Sequence, residues 1–322
     1  MKQMVNKKSL LAIGECMVEL TPGNEDENLY RVSFAGDTLN ALIYAKRWIP
    51  SLTCDFYSAI GEDNFSGKAL EFFEHHGINS TYVVRSKNRK IGLYSIVNDE
   101  NGERSFDYWR DHSAARIMMS LHKARNTVVE DTGVLFFSGI ALSIMSEEDK
   151  QLLIDFVELN KRNGVKIAFD PNYRSVMWNG KNHAQQWFDK AYALADIALP
   201  GMDDHSNVYG HGDVRDVFNH LNALGCKEII VKAGSRGMHA FSDGELLHHQ
   251  SFRKVNQKDT TAAGDSFAGV YLGSRIAGQS VIDSVQAADT VAREVVQYQG
   301  AIIPNDVVAR AKHGFTANMK QE

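Results

Sequence analysis

Short, nearly unbroken apolar runs alternate along this chain with longer segments whose apolar residues recur every three or four positions. The runs SLLAIGECMVEL (9–20), CDFYSAIG (54–61), GVLFFSGIAL (133–142), VKIAFDP (165–171), DIALPG (196–201) and KEIIVKAG (227–234) read as buried strands, several ending in Gly, Pro or Asp. Between them TLNALIYAKRW (38–48), SGKALEFFEHHG (66–77), SEEDKQLLIDFVELNKRNG (146–164), HAQQWFDKAYALA (183–195) and VRDVFNHLNALG (214–225) carry a helical period, and several close on Gly. This alternation predicts an α/β fold: a mostly parallel central sheet with helices on both faces.

Two segments break the rhythm. ENLYRVSFAG (27–36) and TYVVRSKNRKIGLYSIVNDENGERSFDYWRD (81–111) alternate polar with apolar or aromatic residues, and NDENG is a turn signal. They are expected to form a small β lid, from about 28–36 and 82–112, over the ends of the main strands. No linker, repeat or low-complexity tract divides the sequence, so one domain over 1–322 is expected.

Composition narrows the partners. A formal charge of -5 over 322 residues, without long basic runs, argues against nucleic acid or an anionic membrane, while a few local arginines can still hold an anionic small molecule. Glu15 and Glu19 interrupt the first apolar stretch before a secretory core or a span is complete, which reads as a mature cytoplasmic start. Cys16, Cys54 and Cys226 lie far apart and fit buried free thiols. The pairs His75-His76 and His248-His249 read as solvated faces and not as metal ligands.

In an open parallel sheet the ligand sits beyond the carboxyl ends of the strands. The residues there are Gly14-Glu15, Gly61-Glu62-Asp63, Ser138-Gly139, Asp170 to Arg174, Pro200 to Asp204 and Lys232 to Gly237. Neither GxGxxG nor GxxxxGK[ST] stands among them. Further on, DTTAAGDSFAGVYLG (259–273) strips side chains away ahead of a helix and adds Asp265. Free N–H groups and the helix dipole there can hold an anion. A carboxylate repels a phosphate but can take the proton of a hydroxyl that attacks one. The alternative is a plain helix start, capped by Thr260 or Thr261, with Asp265 only favouring the dipole.

DTTAAGDSF resembles the DTxGAGD signature of the PfkB, or ribokinase-like, sugar kinases. FAGDTLNALIYAKRW (34–48) is similar to their Gly-rich substrate motif, and AIGEDNFSGKAL (59–70) to the strand-turn-helix that follows. GDTLN, GLYSI, DYWRDHSAAR, FDPNYR and QGAIIP look specifically like the 2-keto-3-deoxygluconate kinases within that family. The resemblance implies a ribokinase-like fold and transfer of a phosphoryl group from ATP, with Mg²⁺, to the 6-hydroxyl of that sugar acid. Asp265 would be the base, with the amides of Ala263, Gly264 and Asp265 as the anion hole. Gly36, Asp37 and Asn40 would bind sugar hydroxyls, Tyr94, Tyr108 and Arg110 would come from the lid, and Arg174 would follow a strand end. Lys232, Gly234, Ser235 and Gly237, with Ala262, Ala263 and Gly264, would approach the nucleotide.

Departures are visible too. Ala262 replaces the first Gly of the hole, and Val270 stands where a small residue is usual. GMDD (201–204) replaces an Asn-x-x-Glu element tied to the Mg-nucleotide region; Asp204 can stand for the acid, but Gly201 cannot supply the amide. A carboxylate substrate wants the planar donor fork of Arg110 or Arg174, whose other reading is surface ion pairing, just as Tyr94 and Tyr108 could be lid core. The resemblance leaves room for a monovalent cation and a homodimer through the lid. Another sugar kinase, acting on fructose or a related keto acid, or a non-catalytic sugar-acid-binding regulator, are the other readings.

Overall fold

The computed structural model describes residues 8–23, 29–98, 104–122 and 127–319. The turn signal at 98–102 lies mostly outside them, as do residues 1–7 and residue 28 of the expected lid. Thirteen strands are found among the described residues. They are β1 (Ser9–Ile13), β2 (Met17–Pro22), β3 (Tyr30–Ala35), β4 (Thr53–Gly61), β5 (Val83–Ser86), β6 (Gly92–Asn98), β7 (Arg104–Trp109), β8 (Val134–Ser138), β9 (Lys166–Asp170), β10 (Ile197–Ala198), β11 (Glu228–Lys232), β12 (Met238–Ser242) and β13 (Glu245–Gln250). The helices are α1 (Asp37–Trp48), α2 (Asn64–His75), α3 (Met118–Leu121), α4 (Gly139–Ile144), α5 (Glu147–Arg162), α6 (Lys181–Leu194), α7 (Met202–Tyr209), α8 (Val214–Ala223), α9 (Ala263–Ile276), α10 (Val281–Val295) and α11 (Asn305–Asn318).

The nine-stranded sheet runs β13-β12-β11-β10-β9-β8-β1-β4-β5, all pairs parallel except those that β12 makes with β11 and β13. Every residue of β1 is buried, as a strand covered on both faces requires. Its alternation divides two cores: Leu11 and Ile13 pack with α3 to α8, Leu10 and Ala12 with α1, α2 and α9 to α11. Several helices open on a side-chain cap; Ser146, for example, accepts from the Asp149 amide at 3.2 Å to open α5.

Two readings of the sequence need correction. The run 9–20 is not one strand: it breaks at Gly14 to Cys16, and its second half, β2, joins a separate four-stranded sheet ordered β3-β2-β6-β7. A side chain at Gly14 would strike Thr38 Oγ1 at 2.1 Å, so the break lets α1 lie against the end of β1. Within 82–112, β5 pairs parallel with β4 as the edge of the main sheet, and only β6 and β7 belong to the smaller one. Its polar alternation reflects an edge strand.

Among the described residues no helix is long and apolar enough to cross a membrane. All three cysteines are buried and free. His76 is only half solvated, because its ring packs edge-on against Phe72 with centroids 4.5 Å apart.

Candidate active site

The carboxyl edge of the parallel strands is where four elements meet. Helices α1 and α9 set the geometry, because small residues let their backbones touch. A Cβ at Gly269 would lie 2.0 Å from the Ala41 carbonyl oxygen, and one at Gly273 would lie 3.5 Å from Ala45. One turn nearer the N-terminus of α9, that close approach brings Asn40 Nδ2 to donate to Asp265 Oδ2 at 2.9 Å. Val270 is fully buried beside Gly269, so the larger residue is absorbed by the core. Gly36 serves packing as well, since its Cβ would lie 1.9 Å from the Glu15 carbonyl oxygen.

A polar chain crosses the site. Asp37, in the first turn of α1, accepts from Thr38 N at 2.8 Å, and its other oxygen accepts from Asn172 Nδ2 at 3.1 Å. Asn172, at φ 34, turns just after β9 and donates its amide to Asp170 at 3.2 Å. Lys232 Nζ, from the end of β11, pairs with the other Asp170 oxygen at 2.5 Å. The same ammonium is the atom nearest to a Cβ placed on Gly264, at 3.7 Å. A cation therefore stands over the start of α9. Asp170 and Asn172 are not among the site residues expected from sequence; their signals were the strand-end position of the DPNYR segment and its place in the FDPNYR resemblance.

The N-terminus of α9 begins with Ala262 in the left-handed conformation, φ 59, as a glycine would be. Ala263 N–H donates to the Thr260 carbonyl at 3.2 Å. The amides of Gly264 and Asp265 have no acceptor among the described residues, so these two are the donors open to an anion. Burial, then the neighbouring carboxylates of Asp37 and Asp170, push the Asp265 carboxyl up to about 7, against the opposing Asn40 hydrogen bond and Lys232 ammonium. A carboxyl poised there can accept a proton near neutral pH.

Beside the start of α9 an apolar-walled cavity of about 310 Å³ is lined by Lys232, Gly234, Gly237, Phe252, Gly264 and Phe267 among others. Gly237 has φ 80, and a Cβ there would lie 2.2 Å from the Gln250 carbonyl oxygen, so only glycine closes this wall. Ser235 is exposed and does not line the cavity.

The smaller sheet supplies the rest. Tyr94 donates to Glu19 through a short hydrogen bond, its ring lies 5.7 Å from that of Tyr108, and the Asp265 charge reaches its hydroxyl. Arg110 is paired with the buried Glu15 and lies over the Tyr108 ring, 5.7 Å from its centroid. That pairing leaves Arg110 with less free charge for a substrate carboxylate than an unpaired arginine has. Glu15 Oε1 and Arg110 Nε remain buried without a partner among the described residues. Arg174 is exposed, makes no ion pair among the described residues, and acts electrostatically on both Tyr108 and Asp204. Asp204 accepts the amides of Gly201 and Tyr173 at 3.3 and 3.0 Å, and burial followed by repulsion from Asp170 lifts it to about 6. One of its oxygens thus holds the start of α7 and the other the loop after β9, which fits a water-mediated contact to a metal better than direct ligation.

The chain resembles known proteins over nearly its whole length. The chain is 34% identical over 308 residues to the 2-dehydro-3-deoxygluconokinase of Escherichia coli K12, covering 94% of this chain and 99% of that one. A 2-dehydro-3-deoxygluconokinase from Thermotoga maritima has the same fold, with a TM-score of 0.78 at 18% identity over 95% and 99% of the two chains. So has a putative ribokinase II of Escherichia coli in complex with ATP and Mg²⁺, with a TM-score of 0.80 at 20% identity over 98% and 100%. The profile of pfkB family carbohydrate kinases matches residues 7–307, and with the ribokinase-like fold and a carboxyl at the head of α9 beside an apolar cavity, the chain belongs to that family.

Proposed function

We propose that this protein transfers the terminal phosphoryl group of ATP to the 6-hydroxyl of 2-keto-3-deoxy-D-gluconate, giving the 6-phosphate. The observation that carries the mechanism is Asp265, raised to about 7 and held by Asn40 beside the free amides of α9 and the Lys232 ammonium. Asp265 takes the proton of the attacking hydroxyl. The Gly264 and Asp265 amides, with Lys232, face the charge that builds on the transferred group. Gly234 and Gly237 let the nucleotide lie close to the backbone of the cavity wall. A Mg²⁺ ion accompanying ATP would offset phosphate charge. Asp204 would reach it through water.

Selection of the acid rests on Arg174. It is exposed and makes no ion pair among the described residues, whereas Arg110 is paired with Glu15. Asp37 and Asn40, together with the unpartnered Glu15 Oε1 and Arg110 Nε, offer partners for sugar hydroxyls. The small sheet acts as a lid that keeps water, a competing acceptor, away from the transfer. Tyr30, Val32, Phe106 and Trp109 are exposed on that sheet, which suits a homodimer through it. Sedimentation of Trp109→Glu as a monomer is the expected outcome, and an unchanged dimer rules that face out. Buried free thiols accord with a reducing, cytoplasmic location.

Product analysis tests the assignment. Incubation with ATP and the sugar acid should give one phosphate ester whose phosphorus signal couples to the C6 methylene protons. Phosphate on another oxygen, or no ester, overturns it.

A further inference from the structure

At α7, next to Asp204 in the chain, three histidines converge. His205 is buried on α7, His211 lies in the loop after it, and His220 is on α8. Gly210 ends α7 in the left-handed conformation, φ 75, and so turns the chain back to bring His211 over His205. His205 Nδ1 and His211 Nδ1 are 3.1 Å apart, and a nitrogen from each of the three rings lies within 4.8 Å of the other two. Two nitrogens bound to one tetrahedral zinc at about 2.0–2.1 Å are separated by roughly 3.3 Å. The first pair is already at that spacing.

The outward sides of two rings are fixed. His205 Nε2 meets the Tyr192 hydroxyl at 2.9 Å, and His220 Nε2 meets Asp189 Oδ1 at 3.1 Å, an oxygen that Tyr209 also holds at 2.8 Å. A carboxylate or hydroxyl behind each imidazole is the support that metal-bound histidines use to fix ring orientation and tautomer. With His220 Nε2 turned to Asp189, its Nδ1 remains for a ligand. A hydrogen bond between two neutral rings would explain the 3.1 Å contact alone; it does not place a nitrogen of the third ring within 4.8 Å of both.

We propose that His205, His211 and His220 form a binding site for one zinc-class divalent metal ion, with a fourth position open to water. The site joins α7 to α8, and its first ligand directly follows Asp204 in the chain. The test uses the full-length, untagged protein, freed of metal by a chelator and titrated with Zn²⁺ without nucleotide. The expected result is one equivalent bound, a raised Tm, and a tetrahedral absorption spectrum when Co²⁺ replaces zinc. His211→Ala, at a half-buried loop position that leaves the fold intact, should weaken binding by at least about tenfold. His220→Ala should do the same should His205→Ala fail to fold. The absence of stoichiometric binding, or unchanged affinity in His211→Ala, would overturn the proposal.

Discussion

Replacing Asp265 with Asn should cut turnover sharply and stabilise the fold. The Asn40 hydrogen bond at 2.9 Å can persist, because the new side chain keeps an acceptor oxygen. What disappears is a carboxylate that burial, Asp37 and Asp170 hold at about 7, against an ordinary 3.8. An acid that binds its proton more tightly folded than unfolded costs stability as it ionises, so the penalty builds as pH rises from about 4 to about 7 and is constant above. About three pK units at 1.36 kcal/mol each set a ceiling near 4 kcal/mol, and relaxation of the cleft should leave roughly 2 kcal/mol. For 322 residues that corresponds to a Tm gain of about 3 °C. Calorimetry of both proteins from pH 5 to pH 8 reads it directly: the gain at pH 5 should be about one-third of that at pH 8. Turnover should fall by ~10²–10⁴-fold. A variant that is less stable at pH 8, or equally stabilised at both ends of the range, would refute the crowding of carboxylates around Asp265.

Other consequences follow from the same geometry. In the parent, kcat/KM should rise about tenfold per pH unit up to about 7 and then level, as a base with that ionisation requires; a flat profile from pH 5 upward excludes Asp265 as the base. Gly264→Val should keep its Tm, since the nearest atom to a Cβ there is Lys232 Nζ at 3.7 Å, yet lose turnover because the side chain occupies the phosphate approach. Gly269→Ala has no such freedom against Ala41 at 2.0 Å; it should lower Tm and, by displacing Asn40 from Asp265, lower kcat as well. Arg174→Met should cut kcat/KM for the sugar acid by about ten- to a hundredfold with little change in KM for ATP, whereas Arg110→Met, which strands buried Glu15, should destabilise the protein by about 3–5 kcal/mol in chemical denaturation.

Helices were the most legible feature, because a 3.6-residue period survives in sequence wherever one face is buried. Asp265, Asn40 and Asp37 were legible through the motifs that carry them. What depends on distant pairing was not. Asp170 meets Lys232 across 62 positions and Arg110 meets Glu15 across 95, and no local spacing reports such neighbours. The run 9–20 hid a change of sheet because both halves are apolar, and only Gly14 and Glu15 mark the corner. The three converging histidines share no helical face in sequence; a left-handed glycine brings them together.

The central claim is tested most directly by ADP release with each acceptor in turn, at matched concentrations of 2-keto-3-deoxygluconate and fructose. The account predicts turnover that depends on the sugar acid, with kcat/KM for the acid exceeding that for fructose by at least about tenfold, and this preference narrowing in Arg174→Met. Equal use of both acceptors, or ADP release that ignores the sugar acid, would contradict it.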